Sequence, residues 1–396
     1  MRVLILTKIF PNSVEPHSSP FNRQQFARLA RLCEVRILAT IPWFPGARAF
    51  ARWSRAGRLF DVPTEECIDG IVVQHPRFAF VPRSPGLSGP LYAASLARTA
   101  LRCRGKVDVV LGSWAYPDGF AAVALAEMLG TPAVIKLHGS DMNVVAHLPG
   151  PRLGLKWALP RAARIVAVSR ALRDAAIELG APSSRVDVVL NGIDRERFYP
   201  RDRPGARRAL KLPIEGTMIL YIGHLELHKG SLDLVRAFAT VAASRKGVSL
   251  VMVGEGAAEA DCKDLAASLG VEVSFVGARP QHELPQWIAA CDVFALPSWN
   301  EGTPNVVLEA LACGRRVVAT RVGGTPDVVT SDTLGVLVAP RNPGELAVAV
   351  EGALSRDYDA TAVSAALNAP DWGQSAQHLH ASLAAACESG TRMAVA

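Results

Sequence analysis

Short, largely apolar runs recur along the chain, most of them followed by a polar turn and then a segment of helical length. The first is Arg2-Val-Leu-Ile-Leu-Thr7, and similar runs follow at 34–39, 71–75, 107–112, 132–137, 164–169 and 186–190. A strand with both faces buried has no wet face to alternate with, so it reads as an uninterrupted apolar run of this length. The segments between, at 21–32, 88–103, 119–129 and 170–179, are long enough for helices. Strands and helices in alternation predict a parallel sheet covered on both faces. The pattern restarts beyond 201–212, a stretch dense in Arg and Pro, with runs at 218–223, 249–253, 273–276, 293–297, 316–320 and 335–338. With 396 residues, 49% of them hydrophobic, the chain can fill two cores. The expected fold class is α/β with two Rossmann-like β/α/β domains, 1–200 and 201–370, and a C-terminal helical segment, 371–396, packing back on the first.

Several function classes fall away at this stage. Dinucleotide binders carry G-x-G-x-x-G directly after strand one, where this chain has Lys8-Ile9-Phe10-Pro11-Asn12, so a nicotinamide-dependent dehydrogenase is not expected. Gly254-Glu255-Gly256 supplies two such glycines, but Glu259 stands in the third place. The seven cysteines have no Cys-x-x-Cys or Cys/His spacing, which argues against disulfide and zinc frameworks. Asp357-Tyr-Asp359, late in the chain, reads as a solvated turn rather than a metal site. No segment has the roughly 18 apolar residues of a membrane span, and the run after Met1 is too short for a signal peptide, so the expected localisation is cytoplasmic.

Charge is unevenly spread. Residues 1–200 carry 26 Lys and Arg against 15 Asp and Glu, and residues 201–396 carry 17 against 21. The first half therefore suits an anionic partner, with surface solubility as the plainer explanation. Within it, residues 41–60 interleave Trp43, Phe44, Phe50, Trp53 and Phe60 with Arg48, Arg52, Arg55 and Arg58 and contain no acid. Such a segment can lie at the inner face of a membrane, rings inserted and arginines on phosphates, or it can fold its aromatics onto the domain. Nucleic acid is not expected, because no recognition fold accompanies the charge.

The stretch 300–314 combines a turn, a helix and two carboxylates. Thr303 is the expected N-cap and Pro304 the first helical residue, with Gly314 as the stop. Glu301 then precedes the helix, and Glu309 lies about two turns inside it among Val306, Val307, Leu308 and Leu311, where a carboxylate needs a partner. The backbone N–H groups from Gly302 to Asn305 make an anion site of the helix start. A capped core helix that merely contains Glu is the bland alternative. In the first half, His138-Gly139-Ser140-Asp141 follows the run 132–137, at the strand end where open α/β sheets bind ligands; a buried structural histidine is the alternative there.

In order, these pieces resemble the retaining glycosyltransferases of the group-4 family that build bacterial polysaccharides, including those of teichuronic-acid type. The carriers are Phe10 to Pro16, His138 to Asp141, Val168-Ser169, Asn191-Gly192-Ile193-Asp194 with Phe198 and Pro200, Gly223 with Lys229-Gly230, Gly254-Glu255-Gly256, and Glu301 through Glu309. The resemblance implies the GT-B arrangement, two facing Rossmann-like domains with a ligand cleft between them. It implies a nucleotide diphosphate-sugar, UDP- or GDP-linked, as co-substrate, no metal or other cofactor, and a glycan or lipid-linked acceptor. Lys229, Glu301 and His138 are then the expected catalytic set: Lys229 on the diphosphate, Glu301 and His138 on the sugar. Gly223, His224, Gly254, Arg279, Gly302, Thr303, Pro304, Asn305 and Glu309 are expected to bind the donor, with Glu309 on ribose and Arg279 at the base. Ser19 and Arg23 are expected on the acceptor side, and Asp141 is expected to orient the histidine loop.

Two positions depart from the pattern: His224 stands where the family commonly has Arg, and Ser19 where it has Gly. A histidine grips diphosphate only when protonated, so donor affinity is expected to weaken as pH rises through the histidine range. A nucleotide-sugar-binding protein without catalysis, or an epimerase or phosphorylase on the same fold, is the alternative function.

Overall fold

The computed structural model describes residues 1–51 and 53–395, with side chains described through Ser389. Arg52 of the aromatic and basic segment lies outside the described residues. The chain divides into two compact units, Met1–Gly192 with the stretch from Trp372 onward, and Ile193–Asp371.

In the first unit, strands β1 (Arg2–Thr7), β2 (Glu34–Ala39), β4 (Glu65–Ile68), β5 (Ile71–Gln74), β7 (Val109–Ser113), β8 (Ala133–Leu137), β9 (Arg164–Ala167) and β10 (Val186–Val188) form one sheet in the order β10-β9-β8-β7-β1-β2-β5-β4. A separate pair joins β3 (Ile41–Trp43) to β6 (Arg77–Ala79). The pairings in the large sheet are parallel except β4 with β5, a hairpin closed by Asp69 and Gly70 at φ 51° and 80°. Two positive φ values in a two-residue loop match the strand twist, which is why Asp-Gly serves there. β3, β4 and β6 differ from the expected strands: β3 is three residues with Pro42 at its centre, and β4 and β6 carry charged residues.

Successive side chains of a strand point to opposite faces. Leu4 and Leu6 accordingly join Tyr92, Leu125 and Leu155 in one core, while Val3 and Ile5 join Phe26, Leu29 and Val109 in another. Burying each such Leu or Ile contributes about 1.5–3 kcal/mol. The second core is closed by the C-terminal helix Trp372–Val395, whose Ala376, Leu379, Leu383 and Ala386 recur at helical spacing. Ser375 Oγ donates to Leu190 O (2.7 Å) and Ser382 Oγ to Asp187 Oδ2 (2.8 Å), so polar contacts fix its register.

In the second unit, β11 (Thr217–Ile222), β12 (Val248–Val253), β13 (Val273–Gly277), β14 (Val293–Leu296), β15 (Val317–Thr320) and β16 (Gly335–Val338) form a parallel sheet in the order β13-β12-β11-β14-β15-β16. One continuous core holds it. Residues 193–200, placed with the first half from sequence, fold with this unit: Ile193 and Phe198 are in its core, and the Ile193 N–H donates to Pro370 O at 3.0 Å. The buried Arg207 is paired with Asp292 (2.8 Å) and donates to the carbonyls of Ala290, Ile214 and Gly216, the saturation a buried charge requires.

Each sheet reverses its winding once. In the first, the chain adds β2, β5 and β4 on one side of β1 and then returns to lay β7 and its successors on the other; in the second, the reversal lies between β11 and β14. Parallel sheets bind ligands outside the strand ends at such points.

Candidate functional site

In the second unit the loops after β11 and β14 are fastened together. The Trp299 N–H donates to His228 O (2.9 Å), and Gly230, at φ 69°, lies so close to Pro297 that an added Cβ would stand 2.1 Å from its carbonyl oxygen. Only glycine fits there. The result is that Lys229 Nζ donates to Glu301 Oε1 at 2.8 Å, with 25% and 12% of the two side chains exposed. From behind, the Gly324 N–H donates to Gly302 O at 2.7 Å, so the loop after β15 supports the one that carries Glu301.

The helix beyond runs Asn305–Ala312. Pro304, not Thr303, is its N-cap: ψ of 91° keeps Pro304 extended, and its carbonyl accepts from Val307 (2.9 Å) and Leu308 (3.3 Å). The expectation that proline would occupy the first helical position fails because the chain must turn out of β14 before the helix begins. Glu309, on this helix, takes a hydrogen bond from Gln281, and burial pushes its carboxyl up to about 8; Arg197 pulls the other way and Asp194 adds to the rise. Gln281 and Arg197 are therefore neighbours of Glu309 that the sequence did not single out, and Asp194, named there only as part of Asn191–Asp194, is a third.

The other residues expected to bind the donor lie after strands of the same sheet. Gly254 follows β12 at φ 138°, where an added Cβ would meet Gly223 O at 1.9 Å, so these two backbones touch. His224 exposes its imidazole, while its carbonyl accepts from the Tyr221 hydroxyl at 2.7 Å. Arg279 is exposed, with its guanidinium 6.0 Å from the Trp287 ring and a donor to Val276 O. Asp359 caps the helix Ala360–Ala366 by accepting from the Thr361 N–H, a structural use of that carboxylate.

In the first unit, His138 follows β8, beside the β7 loop. Asp141, fully buried, accepts the N–H groups of Ala115, His138, Gly139 and Met142 at 2.7–3.1 Å. One carboxylate thus holds the histidine loop against the β7 loop. His138 Nε2 is 2.9 Å from Ser113 Oγ, and the ring lies between Trp114 (centroids 6.0 Å, near-parallel) and Phe21 (5.2 Å). Burial, reinforced by Lys136, pushes the imidazole well below its ordinary 6.5. Lys136 is a charge inside an otherwise apolar run; its amine, pushed down to about 7 by burial, donates to Gln25 and Asn22.

Ser19 caps the helix Pro20–Leu29 at φ 48°, ψ 57°, the left-handed region that favours glycine. Arg23 is forked onto Asp69 through two contacts of 2.8 Å, and each partner shifts the other's pKa toward the charged form. Its guanidinium is committed to the β4–β5 turn.

Comparison with known proteins agrees with this layout. The family model described as Glycosyltransferase Family 4 matches residues 25–197, and that described as Glycosyl transferases group 1 matches residues 216–356. TuaC of Bacillus subtilis, a glycosyltransferase assigned to teichuronic acid biosynthesis, is 30% identical over 357 residues, 88% of each chain. D-inositol 3-phosphate glycosyltransferase 1 of Catenulispora acidiphila is 31% identical over 328 residues, 76% of this chain and 77% of that one. Among solved structures, Anabaena HepE in complex with UDP has a TM-score of 0.73 at 22% identity, over 97% of this chain and 100% of that one. With two Rossmann-like parallel-sheet domains of the GT-B type and this kinship, the chain belongs to the group-4 glycosyltransferase family.

Proposed function

We propose that the protein is a retaining hexosyltransferase that moves a sugar from a nucleotide diphosphate-sugar, UDP- or GDP-linked, to a hydroxyl of a glycan or lipid-linked acceptor in polysaccharide assembly. The ion pair of Lys229 with Glu301, one short loop before the helix Asn305–Ala312, carries this reading. It sets a cation for phosphate, a carboxylate for sugar hydroxyls and a helix N-terminus on adjoining strand ends. The relatives lend support: TuaC is assigned to teichuronic acid synthesis, and HepE has been crystallised with UDP and UDP-glucose.

The chemistry follows from where charge develops. As the bond from the anomeric carbon to the phosphate oxygen breaks, negative charge grows on the diphosphate, and Lys229 with the helix start offsets it. Glu301 accepts from hydroxyls of the donor sugar, Glu309 meets the ribose hydroxyls, Arg279 stands at the base, and Gly223 and Gly254 let backbone approach the nucleotide. The acceptor hydroxyl attacks on the face the diphosphate leaves, and its proton passes to the departing phosphate oxygen. The anomeric configuration is kept without a protein base. This differs from glycosidase chemistry, where two carboxylates flank the bond; here Glu301 is bound to a lysine and Glu309 sits further along one helix.

Peripheral attachment to the inner face of an anionic membrane belongs to the same reading. In residues 41–60 the aliphatic Ile41 and Leu59 are buried with Val62, while Trp43, Phe50 and Trp53 remain 40%, 48% and 79% exposed. Phe44, Phe50 and Trp53 form a chain of ring contacts with Arg48 and Arg58 exposed alongside. Aromatic side chains facing outward among arginines fit a lipid headgroup layer.

The deciding experiment incubates the protein with labelled UDP- and GDP-sugars and glycan or lipid-linked acceptors, and reads the anomeric configuration of the product by NMR. Transfer with retention is expected. An inverted product, or nucleotide binding without any transfer, overturns the proposal.

A further inference from the structure

Behind His138 lies a line of buried polar groups that an apolar core would not contain without cost. Asn22, Gln25 and Lys136 have no exposed surface, and neither has Ser113. Asn22 sits in the first turn of the helix Pro20–Leu29, and its Nδ2 donates to Ile9 O at 2.9 Å. Its Oδ1 faces Ser113 Oγ at 3.3 Å and Lys136 Nζ at 3.5 Å. Lys136 also donates to Gln25 Oε1, and Gln25 Nε2 donates to Ser375 Oγ at 2.9 Å.

These contacts have only one consistent direction. A carbonyl oxygen accepts and never donates, so Ile9 demands the amide nitrogen of Asn22. An amine donates in either protonation state, and even a neutral lysine has two N–H bonds, enough for Gln25 and Asn22. Turning the amide over would set oxygen against oxygen at Ile9, two acceptors with no proton between them in a buried place. Asn22 Oδ1 therefore accepts, and the single proton of Ser113 goes to it. With the serine proton on Asn22, the serine lone pairs face His138 Nε2, 2.9 Å away, and that nitrogen is then the one that carries the proton.

From this we infer that Asn22, acting through Ser113, is a positioning residue that holds His138 in the Nε2–H tautomer, so that Nδ1 is offered as an acceptor to a sugar hydroxyl. The inference rests on the transferase proposal and on the expected placing of His138 at the donor sugar, and it specifies how the two would meet. Nδ1 makes no hydrogen bond among the described residues, whereas the backbone of His138 is tied to Asp141 and its ring is bracketed by Trp114 and Phe21. A ring held in position, with one nitrogen saturated from behind, has one nitrogen to give. As a lone-pair acceptor it selects a hydroxyl, not a phosphate oxygen, which would present another lone pair. The division of labour follows: phosphate is met by Lys229, and His138 meets a hydroxyl.

The test is nitrogen-resolved NMR of histidine side chains in the full-length protein, with the His138 signals assigned by their loss in His138→Ala, beside steady-state kinetics. The wild type is expected to show His138 protonated on Nε2 and unprotonated on Nδ1 at neutral pH. Asn22→Leu removes the acceptor, frees the serine proton to point at Nε2 and should mix the tautomers, with kcat/KM falling roughly fivefold to tenfold. Asn22→Asp keeps an oxygen facing Ser113 and should keep His138 protonated on Nε2, while its second oxygen meets Ile9 O and lowers the Tm; a spectrum retained at reduced stability is what a volume-filling role would not give. Ser113→Ala removes the partner of Nε2 without touching Asn22, and should mix the tautomers even if Asn22→Leu does not fold. A wild-type His138 protonated on Nδ1, or a tautomer unchanged in both Asn22→Leu and Ser113→Ala, overturns the inference. Absence of sugar transfer by a wild type with the expected spectrum would instead overturn the transferase proposal.

Discussion

Lys229 Nζ stands 2.8 Å from Glu301 Oε1, so the cation and the carboxylate at the second sheet's reversal point are each other's partners before any ligand arrives. On the proposed function, a diphosphate competes with Glu301 for the lysine, and a sugar competes with the lysine for Glu301. Mutual neutralisation keeps two partly buried charges from standing alone, at some expense in ligand affinity.

That competition separates the two residues experimentally. Lys229→Met should weaken sugar-free nucleoside diphosphate binding about 10- to 100-fold, the worth of a charge-assisted contact. Glu301→Gln should tighten the same ligand about two- to fivefold, because the lysine loses a competitor worth ~0.2–1 kcal/mol. The same substitution should lower sugar transfer by roughly 100-fold through loss of the charged sugar contact. Calorimetry with the diphosphate and initial rates with the donor sugar read the two effects; weaker diphosphate binding by Glu301→Gln would refute the competition.

Glu309 should leave a signature in stability against pH. Its carboxyl titrates near 8 when folded, against an ordinary 4.5, because burial outweighs the hydrogen bond from Gln281. The folded state holds the proton where the unfolded chain has released it, so stability is highest below the lower value and is lost as pH rises toward the upper one. Glu309→Gln abolishes this dependence and should gain roughly 2 kcal/mol on the wild type between about pH 5 and about pH 8.5, solvent at the half-buried side chain taking part of the full effect. Denaturant melts at the two pH values measure it; parallel curves would contradict it. In turnover, Glu309→Ala should raise donor Kd more than it lowers kcat.

Asp141 is a structural fastener whose loss should be felt at His138. Its two oxygens serve only donors, so Asp141→Asn turns one N–H partner into a repulsive contact. A loss of about 2 kcal/mol is expected, with a lower Tm and a lower kcat. A variant as stable and active as the wild type would mean the carboxylate is dispensable.

Membrane attachment is tested by sedimentation with anionic vesicles. Trp43→Ala with Trp53→Ala should lower vesicle binding about tenfold, from the exposed aromatic area withdrawn. Raising salt should release the remainder, as expected for surface charges. Binding unaltered by both treatments would assign the exposed rings another role.

Much of the fold was legible because a strand buried on both faces has no alternative composition. Arg2–Thr7, Glu34–Ala39 and Gly335–Val338 appear at the expected bounds. What escaped were β3, β4 and β6, strands of three or four residues interrupted by proline or charge, and the helix Pro149–Ala158, whose two prolines and glycines disguise it. Within the candidate site, Glu301 and Glu309 stood out because carboxylates beside and inside an apolar helix are costly without partners.

The sequence by itself determined the kinds of groups brought to the strand ends: a lysine and carboxylates after the strands of the second sheet, a histidine and an aspartate after β8. These follow from order along the chain, since a loop begins where its strand stops. Tertiary structure alone decided the pairing. Lys229 and Glu301 are 72 residues apart, and Asn22, Ser113, Lys136 and His138 span more than a hundred. Hydrogen-bond direction, tautomer and the rise in the Glu309 pKa depend on atoms a few ångströms away from distant segments, a scale at which separation along the chain carries no information.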